Sequence, residues 1–116
     1  MAGSGEPKTF YVTGGMSGLG KALASEYLMR GADVAIFDLC VDENVLGELE
    51  NSRRTGAQKI VAYSASVTDF EALQSAVEQA ELAIGKPELA VNCAGIQRAA
   101  PFDQLSQEHF EQVVQV

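Results

Sequence analysis

Cations are scarce in this chain of 116 residues: eight Lys plus Arg stand against sixteen Asp plus Glu, a formal net charge of -8. Binding to a nucleic-acid backbone draws its free energy from clustered cations that displace counterions from phosphates, so it is excluded as a main activity. Long apolar runs are also missing. No stretch approaches the roughly 18 residues that a membrane span needs, and Met1 to Lys8 lacks the basic-then-apolar order of a signal peptide. The expectation is a soluble, cytoplasmic protein with no membrane partner. Cysteine is limited to Cys40 and Cys93, far apart in the chain. They fit neither a zinc spacing nor a disulfide-dense scaffold, and are expected to be reduced, buried thiols. The single histidine, His109, lies on an expected surface helix and is assigned no role. The acids around Glu43, Glu48 and Glu50 have no accompanying His or second carboxylate cluster, so they are expected to form a solvated face and not a metal site.

What is present is the composition of a packed domain, with 47% apolar and 21% charged residues. The length suits one domain or a part of one. Residues 1 to 8 hold two glycines, a proline and little that can bury, so they are expected to be a flexible leader, with the domain proper over 9–116.

From Thr9 onward, short apolar runs alternate with longer segments of helical spacing, the pattern of consecutive βαβ units and a parallel sheet. Thr9 to Thr13 reads as a strand that breaks at Gly14. A helix follows from Gly18, with Leu19, Leu23 and Tyr27 four apart and Ala22, Ala24 and Leu28 widening the stripe, and it stops at Gly31. Asp33 to Asp38 is apolar on both faces, as a central parallel strand must be. A thinner stripe of Val45, Leu46 and Leu49 predicts a mostly exposed helix from about Asp42 to Arg54, ended by Gly56. The third strand is expected over Lys59 to Tyr63. Thr68 with Glu71 then reads as a reciprocal capping pair, opening a helix whose buried stripe is Phe70, Leu73, Val77, Ala80 and Ile84 and which Gly85, Lys86 and Pro87 terminate. Leu89 to Asn92 is a short fourth strand. Ser106 is expected to cap a last helix, with Leu105 and Phe110 packing across the cap.

The informative stretch is Thr13 to Gly20, Thr-Gly-Gly-Met-Ser-Gly-Leu-Gly, between a predicted strand and a predicted helix. In a dinucleotide site the three glycines do different things. Gly14 allows the sharp turn off the strand, Gly18 lets the backbone approach a pyrophosphate, and Gly20 lets the helix lie close to the strand. The positive end of the helix then faces the phosphates, so an acidic protein can bind an anion without a basic side chain. The competing reading is a tight βα turn with no ligand. Asp38 ends the second strand 18 residues after Gly20, near the spacing of about 20 at which an acid receives the adenosine ribose hydroxyls; otherwise it is a helix cap or turn former. A carboxylate there repels a 2′-phosphate, and neither Ser17 nor Leu39 offers a cation to neutralise one, so NAD is preferred to NADP.

On Thr13-Gly14-x-x-x-Gly18-Leu19-Gly20, Asp38 and Asn92-Cys93-Ala94-Gly95, the chain from about residue 9 onward resembles the short-chain dehydrogenases/reductases. Three residues between the first two glycines is that family's spacing. The resemblance implies a Rossmann-like, doubly wound α/β parallel sheet with strand order 3-2-1-4, incomplete on its C-terminal side. It implies NAD as cofactor, an alcohol or ketone as small-molecule substrate, and a homodimer or homotetramer. The cofactor-binding set it implies is Gly14, Met16, Ser17, Gly18, Leu19, Gly20, Asp38, Ser66, Val67, Asn92, Ala94 and Gly95. Two positions depart from the family: Cys93 stands where a second Asn is usual, and Ser66-Val67 where Asp-Val is common.

The family's acid/base pair comes as Tyr-x-x-x-Lys. Tyr11, Tyr27 and Tyr63 are followed four residues later by Gly15, Gly31 and Val67, so no catalytic residue is assigned within the chain. The expectation is the amino-terminal, cofactor-binding half of a longer oxidoreductase, whose fourth strand lacks a neighbour on its outer edge. Two other readings stay open: a noncatalytic dinucleotide-binding sensor or regulator on the same fold, and a structural fragment whose glycine loop is empty.

Overall fold

The computed structural model describes residues 6–93. Its element order is β1 (Thr9–Thr13), α1 (Gly18–Met29), β2 (Asp33–Asp38), α2 (Glu43–Glu50), β3 (Ile60–Ser64), α3 (Phe70–Ile84) and β4 (Leu89–Asn92). All strand pairs are parallel and the sheet runs β3-β2-β1-β4, the order the family resemblance implies. At the centre, Tyr11 of β1 lies between Ala35 of β2 and Ala90 of β4.

Side chains alternate across a strand, so a strand between two helical layers must be apolar at every position. In β2, Val34 and Ile36 enter one core while Ala35 and Phe37 enter the other. β1 divides the same way, with Phe10 and Val12 set against Tyr11. Ala24 and Leu28 of α1 and Leu49 of α2 complete the first core; Ala76 and Ala80 of α3 complete the second. Right-handed crossovers explain the division. Stepping from β1 through β2 to β3 puts α1 and α2 on one face, and the return from β3 to β4 puts α3 on the other. Phe10, Leu28, Ile36 and Phe37 are at most 2% exposed, and each such burial contributes about 1.5–3 kcal/mol.

Helix ends are closed by backbone geometry and by one distant side chain. Gly31 (φ +102°) and Gly85 (φ +92°) take positive-φ conformations, open to glycine, where α1 and α3 stop. Gln58, buried, donates through Nε2 to the carbonyls of Leu28 (2.8 Å) and Ala32 (2.7 Å) and accepts the Thr55 N–H at 2.8 Å. It thereby ties the last turn of α1 and the turn after it to the segment before β3. The expected leader reaches the sheet at Lys8, whose carbonyl accepts the Asp33 N–H at 2.9 Å and whose N–H donates to Glu88.

Several expectations are corrected. α2 spans Glu43–Glu50, not Asp42 to Arg54, and Asn51 rather than Gly56 is its C-cap. Its stripe ends at Leu49, so a further turn would have no apolar residue to bury, and the Ser52 and Arg53 amides donate to the carbonyls three residues back, those of Leu49 and Glu50. α3 is capped by Asp69, which accepts the Ala72 N–H, not by the Thr68–Glu71 pair; the Thr68 hydroxyl is engaged with Ser66. Phe70 is 75% exposed and Leu19 68%, and Ala22 is exposed as well. α1 approaches the sheet through Gly20, Ala24 and Leu28, and α3 through Ala76 and Ala80. Small residues at the contact let a helix lie close and turn neighbouring large residues outward. β3 begins at Ile60, one residue later than expected. Cys40 is exposed and Cys93 only half-buried, so neither is the buried thiol expected. The last helix assigned to Ser106, Leu105 and Phe110, and His109 with it, lie outside the described residues. No helix among the described residues is long and apolar enough to cross a membrane.

Tyr11 ties the central strand to the end of α3: its hydroxyl donates to the Gly85 carbonyl at 2.6 Å. Burial raises its pKa above 10.0, and the charges of Glu81 and Tyr63 act in the same direction. The folded state holds this proton more tightly than the unfolded chain. Its contribution to stability is complete below pH 10 and is lost as pH rises through the raised value. Tyr11→Phe is expected to lower the unfolding free energy by about 1 kcal/mol near neutral pH. The loss of stability above pH 10 should also become shallower, both being measured by denaturant unfolding across pH.

Candidate functional site

The carboxyl ends of the four strands meet at one edge, and three main-chain bonds join them: Gly14 N–H to the Phe37 carbonyl (2.7 Å), Ala65 N–H to that of Asp38 (2.9 Å), and Cys93 N–H to that of Thr13 (3.1 Å). The direction of sheet growth reverses at β1, with β2 on one side and β4 on the other. In open parallel sheets, the crevice outside such a reversal is where ligands bind.

The glycine loop fills this edge with backbone. Gly14 (φ +70°) turns the chain off β1, and Gly18 (φ +57°) starts α1. A Cβ on Gly20 would lie 2.1 Å from the Gly14 carbonyl oxygen, so α1 touches the loop there without an intervening side chain. A Cβ on Gly18 would meet nothing within 4 Å, so space lies open in front of that backbone. A fourth requirement is not evident from the spacing of the motif: a Cβ on Gly15 would come within 2.7 Å of the Ile36 side chain. The doubled glycine is its only trace in the sequence, because the partner on β2 is remote along the chain.

The start of α1 differs from the other two helices. Asp42 and Asp69 cap α2 and α3 with side-chain bonds, and Glu43 and Glu71 add acid to those first turns. Ser17 caps α1 without a side-chain hydrogen bond, and the first turn holds no acid. Its amides and the positive end of its dipole therefore face the open space unneutralised, the arrangement that suits a phosphate.

Asp38 ends β2 beside the loop and accepts the Met16 N–H through Oδ2 at 3.1 Å. The turn-forming and ligand-binding readings of Asp38 are thus compatible, because Oδ1 has no protein donor among the described residues. Met16 is buried, whereas Ser17 and Leu19 are exposed on the rim of the loop. Ser66 lies after β3, and its hydroxyl shares a 2.8 Å bond with Thr68 Oγ1 and accepts the Thr68 N–H at 3.2 Å. Val67, next to it, is half-buried. Asn92 ends β4, where its Oδ1 accepts the Thr13 hydroxyl, which itself accepts the Cys93 N–H at 3.1 Å. Gly14 through Gly20, Asp38, Ser66, Val67 and Asn92 are therefore brought to one edge, while Ala94 and Gly95 lie outside the described residues. An apolar cavity of about 260 Å³ adjoins this edge at Thr13 and Asn92, lined in part by Tyr11, Phe37, Leu73 and Val77; neither the glycine loop nor Asp38 lines it.

The phosphate-binding part of a dinucleotide fits the bare loop and the first turn of α1. Tyr11 bonds the end of α3, Tyr27 stacks on Phe10 with ring centroids 4.3 Å apart, and Tyr63 stacks on Phe37 at 5.9 Å.

Comparison with known proteins gives the family and the fold. The family model described as short chain dehydrogenase matches residues 8–116. D-threitol dehydrogenase of Mycolicibacterium smegmatis is 32% identical over 111 residues, covering 94% of this chain and 41% of that protein. 3-Dehydrosphinganine reductase of Danio rerio is 31% identical over 110 residues, covering 90% and 32%. Among solved structures, a 3-oxoacyl-(acyl-carrier protein) reductase of Brucella melitensis in complex with NAD is 27% identical and superimposes with a TM-score of 0.75, covering 95% of this chain and 43% of that one. The chain thus spans less than half the length of these relatives.

The two loop glycines should respond differently to alanine. Gly20→Ala drives a Cβ into backbone and is expected to cost about 3 kcal/mol or more. Gly18→Ala has room and meets only the strain of its positive φ, about 1–2 kcal/mol. Thermal and denaturant unfolding of the two variants measure the difference.

Proposed function

Because this chain belongs to the short-chain dehydrogenase family of nicotinamide-dinucleotide oxidoreductases, we propose that it is the NAD-binding portion of an enzyme that interconverts a secondary alcohol and the corresponding ketone. The observation that carries the reading is Asp38, held beside the bare glycine loop by the Met16 amide with Oδ1 uncommitted among the described residues. The nicotinamide supplies hydride transfer when bound. The residues of this chain bind and orient. Main-chain amides of the loop and of the first turn of α1 receive the diphosphate, and the open space at Gly18 admits it. The Asp38 carboxylate accepts from the adenosine ribose hydroxyls. Val67 lines the adenine side, and Asn92, at the end of β4, supports the sheet beside the cofactor ribose. Proton transfer to the reacting oxygen belongs to residues outside these 116, since no Tyr here is followed by Lys at the fourth position.

Cofactor choice follows from charge. A 2′-phosphate on the ribose would meet the Asp38 carboxylate, and the neighbouring Ser17 and Leu39 carry no positive charge to offset it. Lys21, in the first turn of α1, is paired with Glu48 at 2.5 Å. Calorimetric titration should therefore give tighter binding of NAD than of NADP, and absence of binding by folded protein would overturn the reading. Asp38→Ala combined with Leu39→Arg exchanges repulsion for a cation at the same place, and is expected to shift the affinity ratio toward NADP by about tenfold or more.

A further inference from the structure

Met16 is a large side chain in a loop otherwise nearly bare, and it points inward. It is 8% exposed and shares its core with Val12, Ile36 and Leu49, and with Val41 and Val45 at the margin. Two of its atoms hold other segments. Its N–H donates to Asp38 Oδ2 at 3.1 Å, and its thioether sulfur accepts the N–H of Asp42, the N-cap of α2, at 3.3 Å. A single residue therefore joins the glycine loop, the end of β2 and the start of α2. The intervening turn is fixed at one further point, where the Leu39 carbonyl accepts the Ser64 hydroxyl at 2.8 Å.

A carboxylate that is free to rotate offers its oxygens in many directions; one held at Oδ2 offers Oδ1 in few. The Met16 amide can hold Oδ2 only while the loop stays where the buried side chain anchors it. Resting on the NAD reading above, we propose that Met16 is a positioning residue for cofactor selection. Its buried side chain and its sulfur contact with Asp42 keep the loop amide on Asp38, so that the carboxylate meets the vicinal ribose hydroxyls and opposes a 2′-phosphate. Removing the anchor weakens NAD and relaxes the penalty on NADP together. A merely structural role would weaken both dinucleotides alike and leave their ratio unchanged.

The test is calorimetric titration of the purified protein, Met16→Ala and Met16→Leu with NAD and with NADP, folding being checked by cooperative thermal unfolding. Met16→Ala is expected to lower the NAD-to-NADP affinity ratio by about five- to thirtyfold. Met16→Leu, which keeps the volume and loses the acceptor, should lower it by less. A ratio that stays within about twofold in folded Met16→Ala overturns the inference. Should that variant not fold, Met16→Val takes its place under the same criterion. Unmodified protein that binds neither dinucleotide, or prefers NADP, overturns the NAD reading itself. A preference for NAD with an unchanged variant ratio overturns only the role of Met16.

Discussion

Strand β1 has a strand on each edge and a helical layer on each face, and this double enclosure governs the rest of the molecule. Being paired with β2 and β4 alike, it is where the sheet reverses its direction of growth. Its carboxyl end is therefore where the chain leaves the sheet at that reversal, between β2 and β4. The exit has to be narrow. Gly14, Gly15 and Gly20 meet that constraint in three directions: along the chain by a positive φ, toward β2 by the absence of a clash with Ile36, and toward the loop itself by the approach of α1 to the Gly14 carbonyl.

Most of the fold is legible in the sequence because apolar periodicity and glycine stops report burial locally. The strand positions, the glycine stops at Gly31 and Gly85, and the strand-loop-helix placement of the glycine stretch all depend on residues close together in the chain. The features that escape a reading of the sequence depend on distance. Leu19 and Phe70 obey helical spacing yet stand in solvent, because the alanines of each helix and Gly20 set which face approaches the sheet. The closure of α1 by Gln58 joins residues 30 apart, and no local pattern marks it. Gly56 resembles a stop for α2, whereas the last residue of that helix with something to bury is Leu49.

The candidate site divides along the same line. Gly14, Gly18, Gly20 and Asp38 stand out by spacing, since each answers a need that one residue type meets. The Asp38 contact with the Met16 amide does not, because a main-chain donor leaves no trace in residue type. Electrostatics at the site likewise come from arrangement and not from composition. In a chain with net charge -8, α2 and α3 place acid over their own amino ends, while α1 leaves its end bare.

The contact between Gly20 and the Gly14 carbonyl also bears on how the loop receives a guest. Loops that wrap an anion usually have to be ordered by it, and that lost freedom subtracts from affinity. Here the segment is already pinned at two points, by the helix pressed on its first residue and by the Asp38 carboxylate on its middle. Docking would resemble filling a mould more than tightening a noose.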